Sequence, residues 1–587
     1  MFPNLKDPSF PPLNFIIIIF FWQESSLGAG QLAYWAATAY RAASAWLRRT
    51  RDNVKWSKVV CALANSMFYH FVSPPLAEAS MATLVDVNST APADKMAPST
   101  LDLFMLTFNC AKNFIDTHVF ASNLHTAFKQ SATPLPEVVV FSLQEFAPLS
   151  YSFIGGYFLS PYLTRFEEAL NLAATRYTNE SPTSDADSHD GADDETILVK
   201  PTAPTPVRPY TLIRTRNIGM TAIMLFARNP ESILRVQEAE VGFGAAEMGN
   251  KGAVALRVLY EGTTTEGGKK ETELTFVATH LAAMEWNLPR RNANWATIMR
   301  GLTFENPEDI LHPKKNKPTT PTHGEGQAEG ARDEAVHLLH DEHQAQTLAL
   351  QERLQEISVF KPSSHLFVGG DLNYRISTTS PPPMATFPSL DPDSEHHYSR
   401  FFALDQLTRE RQAGRTLHGM SEAEVKFPPT YKYNVLPQDD TRLKVDGVED
   451  VPWVFAPHRY PSWTDRILYL DVPSWVKTKP QKVDVKIYDA MPVVRSSDHR
   501  AVFLRAAVPL LTEKELARSS TEAPTSNAVD PRLVLPVAID PEAWERRAAA
   551  RRKEVLVGWS MFLWSTKQGA MILATLLAVG AGIWWLS

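Results

Sequence analysis

Asp371, Asn373 and Arg375 fall within five residues, directly after the apolar run Leu366-Phe-Val-Gly-Gly. A carboxylate, an amide and a guanidinium at that spacing suit metal-assisted attack on a phosphate. The carboxylate orients or deprotonates a water, the amide fixes an oxygen, and the cation faces negative charge. The run reads as a buried strand that breaks at Gly369-Gly370 in a tight turn and presents its polar groups at one edge of a sheet. Taken alone, the segment fits an ordinary strand and turn equally well.

Three further apolar runs end the same way. Leu103–Phe108 stops at Asn109, Val138–Leu143 at Gln144-Glu145, and Thr275–Thr279 at His280. Residues that bind metal or move protons, placed at the ends of separate strands, make one site out of distant sequence. Other segments carry chemistry of their own. Lys251 sits in Gly249-Asn-Lys-Gly252 before a strand-like run, where it can meet phosphate or serve as a solvated hairpin residue. Tyr431 and Lys432 follow a stiff Pro428-Pro429 pair, in a phosphate-contacting loop or a rigid connector. Asp465-Arg466 fits a structural ion pair. Asp498-His499 enters a last strand, and a carboxylate beside a histidine orients it and raises its basicity.

The elements that must position these groups belong to a large globular chain. Its 587 residues are 44% hydrophobic, enough for a sizeable core. A net charge of -7 gives no general attraction to nucleic acid. The two cysteines, Cys61 and Cys110, argue against a disulfide scaffold or a cysteine metal site and suit a reducing compartment.

Along the chain, residues 1–99 show no clear period and read as a poorly ordered extension. The run Phe15–Trp22 is apolar but shorter than the about 20 residues a bilayer requires. Residues 100–508 form the expected catalytic domain, with disordered insertions near 178–209, 312–333 and 378–395. Helical spacing covers Tyr162–Tyr177 and Glu334–Ile357. Residues 509–568 read as a linker carrying the basic run Arg546-Arg547 and Arg551-Arg552-Lys553. Residues 569–587 hold no charge and end in an aromatic pair, Trp584-Trp585, as a transmembrane tail anchor does. Basic residues on its N-terminal side put the bulk of the chain in the cytosol, on the endoplasmic reticulum or another organelle membrane. The basic run either attracts anionic lipid or only sets topology.

In order and content, these segments resemble the inositol polyphosphate 5-phosphatases, within the wider endonuclease/exonuclease/phosphatase superfamily. Gly370-Asp-Leu-Asn-Tyr-Arg375 and Trp463-Thr-Asp-Arg-Ile-Leu468 are similar to the family's two signatures. Gln144-Glu145, Gly249–Gly252, Thr279–Ala283, Arg290–Asn292, Pro429–Tyr433 and Ser497–His499 resemble the remainder, so the likeness spans about residues 101–507. The Asp-x-Asn and Ser-Asp-His patterns are shared with nucleases and phosphodiesterases of that fold; the segments at 429–433 and 463–468 discriminate.

The resemblance implies an α/β (α+β) fold: a DNase I-like four-layer sandwich of two mostly antiparallel sheets flanked by helices, here with a C-terminal transmembrane helix. It implies Mg2+ held by Glu145 and Asn109, and Asp371, with Asn373 beside it, orienting or deprotonating the water. His499, supported by Asp498, and His280 would stabilise charge on the transferring phosphoryl. Tyr431, Lys432 and Arg466 would grip a neighbouring 4-phosphate, and Lys251 and Arg375 add substrate-binding cations. The implied partner is a phosphoinositide lipid, phosphatidylinositol 4,5-bisphosphate foremost, with no nucleic acid. A phosphodiesterase or nuclease of the same fold, and an inactive membrane-anchored phosphoinositide-binding scaffold, are the rival readings. The chain departs from the family pattern at Met284, Thr464, Ala501 and Ala253, where many members carry His, Cys, Pro and Gly. None of the four removes a proposed catalytic group.

Overall fold

A computed structural model describes residues 99–131, 134–180, 208–264, 267–312, 346–437, 451–476, 482–517 and 530–586. The extension expected over 1–99, most of the insertions near 178–209 and 312–333, and the first half of the helix expected from Glu334 lie outside the described residues. Residues 346–357 are helical as expected and form the helix α5.

In chain order the strands begin with β1 (Thr100–Asn109), β2 (Val138–Gln144), β3 (Thr211–Ile218), β4 (Thr221–Ala227), β5 (Ile233–Gly242) and β6 (Gly252–Thr263). They continue with β7 (Lys269–His280), β8 (His365–Asp371), β9 (Tyr433–Val435), β10 (Trp453–Phe455), β11 (Asp465–Tyr469), β12 (Asp484–Ala490) and β13 (Val502–Pro509). One sheet has the order β12-β13-β1-β2-β4-β3 and the other β11-β8-β7-β6-β5, while β9 and β10 pair separately. Each large sheet contains one parallel pair, β1 with β2 and β7 with β8, and is otherwise antiparallel. The registers Asn109↔Gln144 and His280↔Asp371 bring the carboxyl ends of both parallel pairs level.

Strand alternation explains why these runs are apolar throughout. On β1, Leu103 and Met105 pack between the sheets with Val140, Leu225, Leu256, Phe276 and Phe367. Phe104, Leu106 and Phe108 point the other way, onto the helices α1 (Thr117–Lys129) and α3 (Ser160–Glu180). Between α1 and α3 the chain forms the short helix α2 (Leu149–Ile154). Outside the second sheet, Ala255, Val277 and Val368 meet Trp295 and Ile298 of α4 (Leu288–Gly301). Both faces of each sheet are therefore covered, and a strand buried on both faces loses the polar half of its alternation. The result is the expected four layers.

Three expectations change. Gly369 and Gly370 do not break the strand; β8 runs through them to Asp371. A Cβ at Gly370 would lie 2.0 Å from the carbonyl oxygen of Thr279, and one at Gly369 would lie 2.7 Å from Met105, so the glycines permit close packing rather than a turn. Residues 378–395, expected as disordered, form a mostly exposed irregular loop whose turns are closed by Ser377, Ser389, Asp391 and Ser394.

The third change concerns 509–568. It is no mere linker: Ala543–Ser565 forms the helix α6, packed against α2 and β5. Its buried face, Ala550, Glu554, Gly558 and Phe562, recurs every four residues, the helical spacing that places side chains on one stripe. Among the basic run, Arg547 and Arg551 are spent on that docking through Glu554. After Thr566, the helix α7 (Lys567–Leu586) is long and apolar enough to cross a membrane and is almost wholly unburied.

Candidate active site

The carboxyl ends of the two parallel pairs build the site. Asp371 ends β8 and is 1% exposed. Its Oδ2 accepts from Asn109 Nδ2 at 2.9 Å, a bond that ties the end of β1 to the end of β8 and so one sheet to the other. Its Oδ1 accepts the backbone N–H of Asn373 at 3.1 Å, and His280 Nε2 lies 3.2 Å from Oδ2. Burial pushes the Asp371 carboxyl up, but the His280 bond and the charges of His280, His499 and Lys251 outweigh it and hold it well below the usual carboxylate range. Asn373 adopts a left-handed φ of 56°, which turns the chain sharply after the strand and lets its side chain donate to Leu281 O at 3.3 Å.

Glu145 follows β2 with a left-handed φ of 45°. Lys112 lies 3.0 Å and Lys251 3.8 Å from its carboxylate. Burial opposes ionisation, yet Lys251, His280 and Lys112 draw its pKa down to about 2. Lys251 bonds the ring of His280 and so faces inward from the β5–β6 connection rather than into solvent. Burial and the Lys251 charge push the His280 imidazole below its ordinary value.

His499 differs from expectation in its partner. Its Nδ1 is 2.9 Å from Asp465 Oδ2, while its Nε2 stands 4.0 Å from Asp498. Asp465 is fully buried and also accepts from the Thr430 and Thr464 hydroxyls, so it is the orienting carboxylate. Burial alone would lower the His499 pKa; Asp465 and then Asp371 raise it to about 10. Asp498 instead pairs with Lys432. In the sequence Asp465 is marked by its place in Trp463–Leu468, where a carboxylate next to Arg466 fits an ion pair with that neighbour.

That neighbour is the second correction. Arg466 does not reach the site. Alternation on β11 turns it to the opposite face from Asp465, where it is fully buried and held by Glu422 at 2.5 and 2.7 Å and Asp405 at 3.0 Å. Tyr431, Lys432 and Arg375 lie together beside His499. The Tyr431 ring lies 4.5 Å from the His499 ring, and the Arg375 guanidinium 4.4 Å from the Tyr431 centroid.

Among the described residues, Asp465 Oδ1 and Arg375 Nη1 are buried without a hydrogen-bond partner. A buried polar atom without a protein partner leaves room for a water, an ion or a substrate oxygen. The donors at the strand ends are oxygens of Glu145, Asn109, Asp371 and Asp465, the set a hard divalent cation prefers. Ligand atoms of Asp371, Asp465 and His499 also lie within 4.8 Å of one another. His499 Nδ1 is already engaged with Asp465 Oδ2.

Known proteins resemble the chain over this part of its length. The chain is 26% identical over 299 residues to "Synaptojanin" of Caenorhabditis elegans, covering 50% of this chain and 19% of that protein. It is 28% identical over 264 residues to "Inositol-1,4,5-trisphosphate 5-phosphatase 1" of Schizosaccharomyces pombe, covering 44% and 17%. To "Phosphatidylinositol 3,4,5-trisphosphate 5-phosphatase 1" of Mus musculus it is 27% identical over 262 residues, covering 44% and 16%. It spans about a fifth of the length of these relatives. Among solved structures, the inositol polyphosphate 5-phosphatase domain of SpSynaptojanin, in complex with inositol (1,4)-bisphosphate and calcium ion, gives a TM-score of 0.43 at 20% identity over 78% of this chain and 93% of that one. The family model for the endonuclease/exonuclease/phosphatase family 2 matches residues 106–505, which is most of the described domain, and the chain belongs to that family.

Proposed function

We propose that the chain is a Mg2+-dependent phosphoric monoester hydrolase that removes the 5-phosphate of phosphoinositides, phosphatidylinositol 4,5-bisphosphate foremost, at a membrane surface. The observation that carries this reading is the packing of Tyr431 and Lys432 against His499 and Asp498, beside Asp371. A cation-bearing loop built into the hydrolytic pocket suits a substrate with a second phosphate next to the scissile one. The curated relatives, named for 5-phosphate removal from both soluble and lipid inositol phosphates, support it.

The chain's residues divide the reaction between them. Asp371, kept ionised, accepts a hydrogen bond from a water and orients its oxygen for attack on phosphorus. The ester P–O bond breaks, and the ring oxygen leaves as the inositol hydroxyl, taking up the proton that the attacking water gives up. His499, protonated and fixed by Asp465, faces the negative charge that builds on the phosphoryl oxygens, with Lys251 and His280 on the other side. Glu145 and Asn109 would hold the metal, which when bound polarises the phosphate and neutralises charge. Lys432 and Arg375 position the rest of the polyphosphate.

The apolar helix α7 supports action on lipid. Tethering raises the local concentration of headgroups relative to soluble inositol phosphates. In this reading the chain is a single-pass tail-anchored protein with its catalytic domain in the cytosol, on the endoplasmic reticulum or another organelle membrane. Phosphate release is to be measured across phosphoinositides and soluble inositol phosphates, with Mg2+ and with chelator, beside a DNA-nicking assay. Release from the 4,5-bisphosphate is expected. Nicking without release would favour the nuclease reading, and binding without release the scaffold.

A further inference from the structure

The docked helix α6 carries a buried carboxylate at its centre. Glu554 is fully buried. Its Oε1 accepts the backbone N–H of Gly249 at 2.7 Å. Arg547 grips both carboxylate oxygens at 2.6 and 2.9 Å and reaches on to Glu240 of β5 at 2.6 Å. Arg551 bonds Glu554 at 3.2 Å and the carbonyl oxygens of Phe153 and Ile154 at 2.6 and 3.2 Å, closing the C-terminal end of α2. A buried ion pair is weak evidence of stabilisation in itself, because desolvation consumes much of its Coulomb energy. What this one does have is direction: one of its outer contacts, the Gly249 amide, lies two residues from Lys251.

Gly249 lies two residues before Lys251, the lysine that meets His280 and Glu145. The turn allows Gly249 little freedom elsewhere. A Cβ at Gly219 would sit 2.0 Å from Gly249 O, and one at Gly249 would sit 2.5 Å from Ile218, so backbone packs on backbone. The Glu554 carboxylate then fixes the amide on the far side. On the other arm, α2 begins four residues after Glu145, and Gly558 lets α6 approach it so closely that a Cβ there would lie 2.9 Å from Phe153 Cβ.

We propose that Glu554 is a positioning residue: through the Gly249 amide it sets the place of Lys251, so that α6 belongs to the hydrolytic unit and not only to the tether. The proposal rests on the phosphatase reading above, in which Lys251 faces the transferring phosphate. A hydrogen bond to a charged group is worth about 10- to 100-fold in an equilibrium. Glu554→Gln in the full chain, in detergent micelles with a soluble 4,5-bisphosphate headgroup and Mg2+, is expected to lower kcat/KM by about that factor.

A double-mutant cycle separates positioning from general loosening. In a Lys251→Ala background, Glu554→Gln should cost less than about twofold further, since the group it acts through is gone. Full activity of the single variant, or an undiminished loss in the Lys251→Ala background, overturns the proposal. Amide hydrogen exchange gives a readout independent of turnover: Gly249 and Lys251 should exchange faster in Glu554→Gln, and unchanged exchange at both overturns it. If the wild type releases no phosphate from any inositol phosphate, the phosphatase reading fails, and the exchange result still decides whether α6 holds this turn.

Discussion

His499 Nδ1 sits 2.9 Å from Asp465 Oδ2, whereas Asp498, its neighbour in the chain, stands 4.0 Å from the other ring nitrogen. The carboxylate that orients the ring comes instead from Asp465 at the start of β11.

The two aspartates should therefore separate on mutation. Asp465→Asn removes the charge that holds the His499 proton and should reduce kcat about 10²- to 10⁴-fold, the range for loss of a positioned acid–base group. Asp498→Asn releases Lys432 and should act chiefly on KM. Steady-state kinetics on both variants check this; a larger kcat loss from Asp498→Asn would restore it as the orienting group.

The same pair makes stability depend on pH. Folding raises the His499 pKa from 6.5 to about 10, because Asp465 and Asp371 overcome the cost of burial. A pKa higher in the folded state means a contribution that is full below the unfolded value of about 6.5. It then disappears as the pH climbs through the folded value. The Tm advantage of the wild type over His499→Gln should shrink steadily from about pH 6.5 to about pH 10. A gap that stays constant across that window would show the proton is not held by the fold.

Much of this site was legible in the sequence, and the reason is topological. Asn109, Glu145, His280 and Asp371 each follow an apolar run, and parallel pairing within each sheet brings those ends together. What local pattern could not supply is the facing of a side chain. Asp465 and Arg466 are adjacent letters on opposite faces of β11. The glycines at 369–370 signal a break but allow close packing. The i+4 stripe on α6 was present in the sequence, but its center is a charged residue, Glu554, and a charge-rich helix after a proline-rich stretch looks like solvent-exposed linker until its partner is known.

Arg466 and Lys432, expected in one role, should now behave differently. Arg466→Ala leaves Glu422 and Asp405 as unpaired charges in the interior, a loss of about 3–5 kcal/mol. Lys432 is partly exposed and pairs with a partly exposed Asp498, so Lys432→Ala should change stability by less than about 1 kcal/mol. Its effect should appear in KM for a 4,5-bisphosphate and nearly vanish for a substrate lacking the 4-phosphate. Denaturant melts with kinetics on both substrates test the division; a KM effect without destabilisation in Arg466→Ala would return it to the substrate.

Glu145 gives the last prediction, because its neighbours compete with the metal it is proposed to hold. Lys112 lies 3.0 Å from its carboxylate and is half exposed, and Lys251 lies 3.8 Å away. A divalent cation binding Glu145 must displace or repel at least the Lys112 ammonium, so the lysine weakens metal binding while keeping the carboxylate ionised. Two substitutions should then move the Mg2+ requirement in opposite directions. Glu145→Gln removes the charged oxygen donor and should raise the half-saturating Mg2+ concentration by about tenfold or more, as loss of a charge-assisted contact does. Lys112→Ala frees the same carboxylate and should lower it. Titrating activity against Mg2+ after chelator treatment, with calorimetric metal binding beside it, reads both shifts. If Lys112→Ala raised the requirement instead, the lysine would be supporting the carboxylate's conformation, and Glu145 would owe its left-handed backbone position to that ion pair.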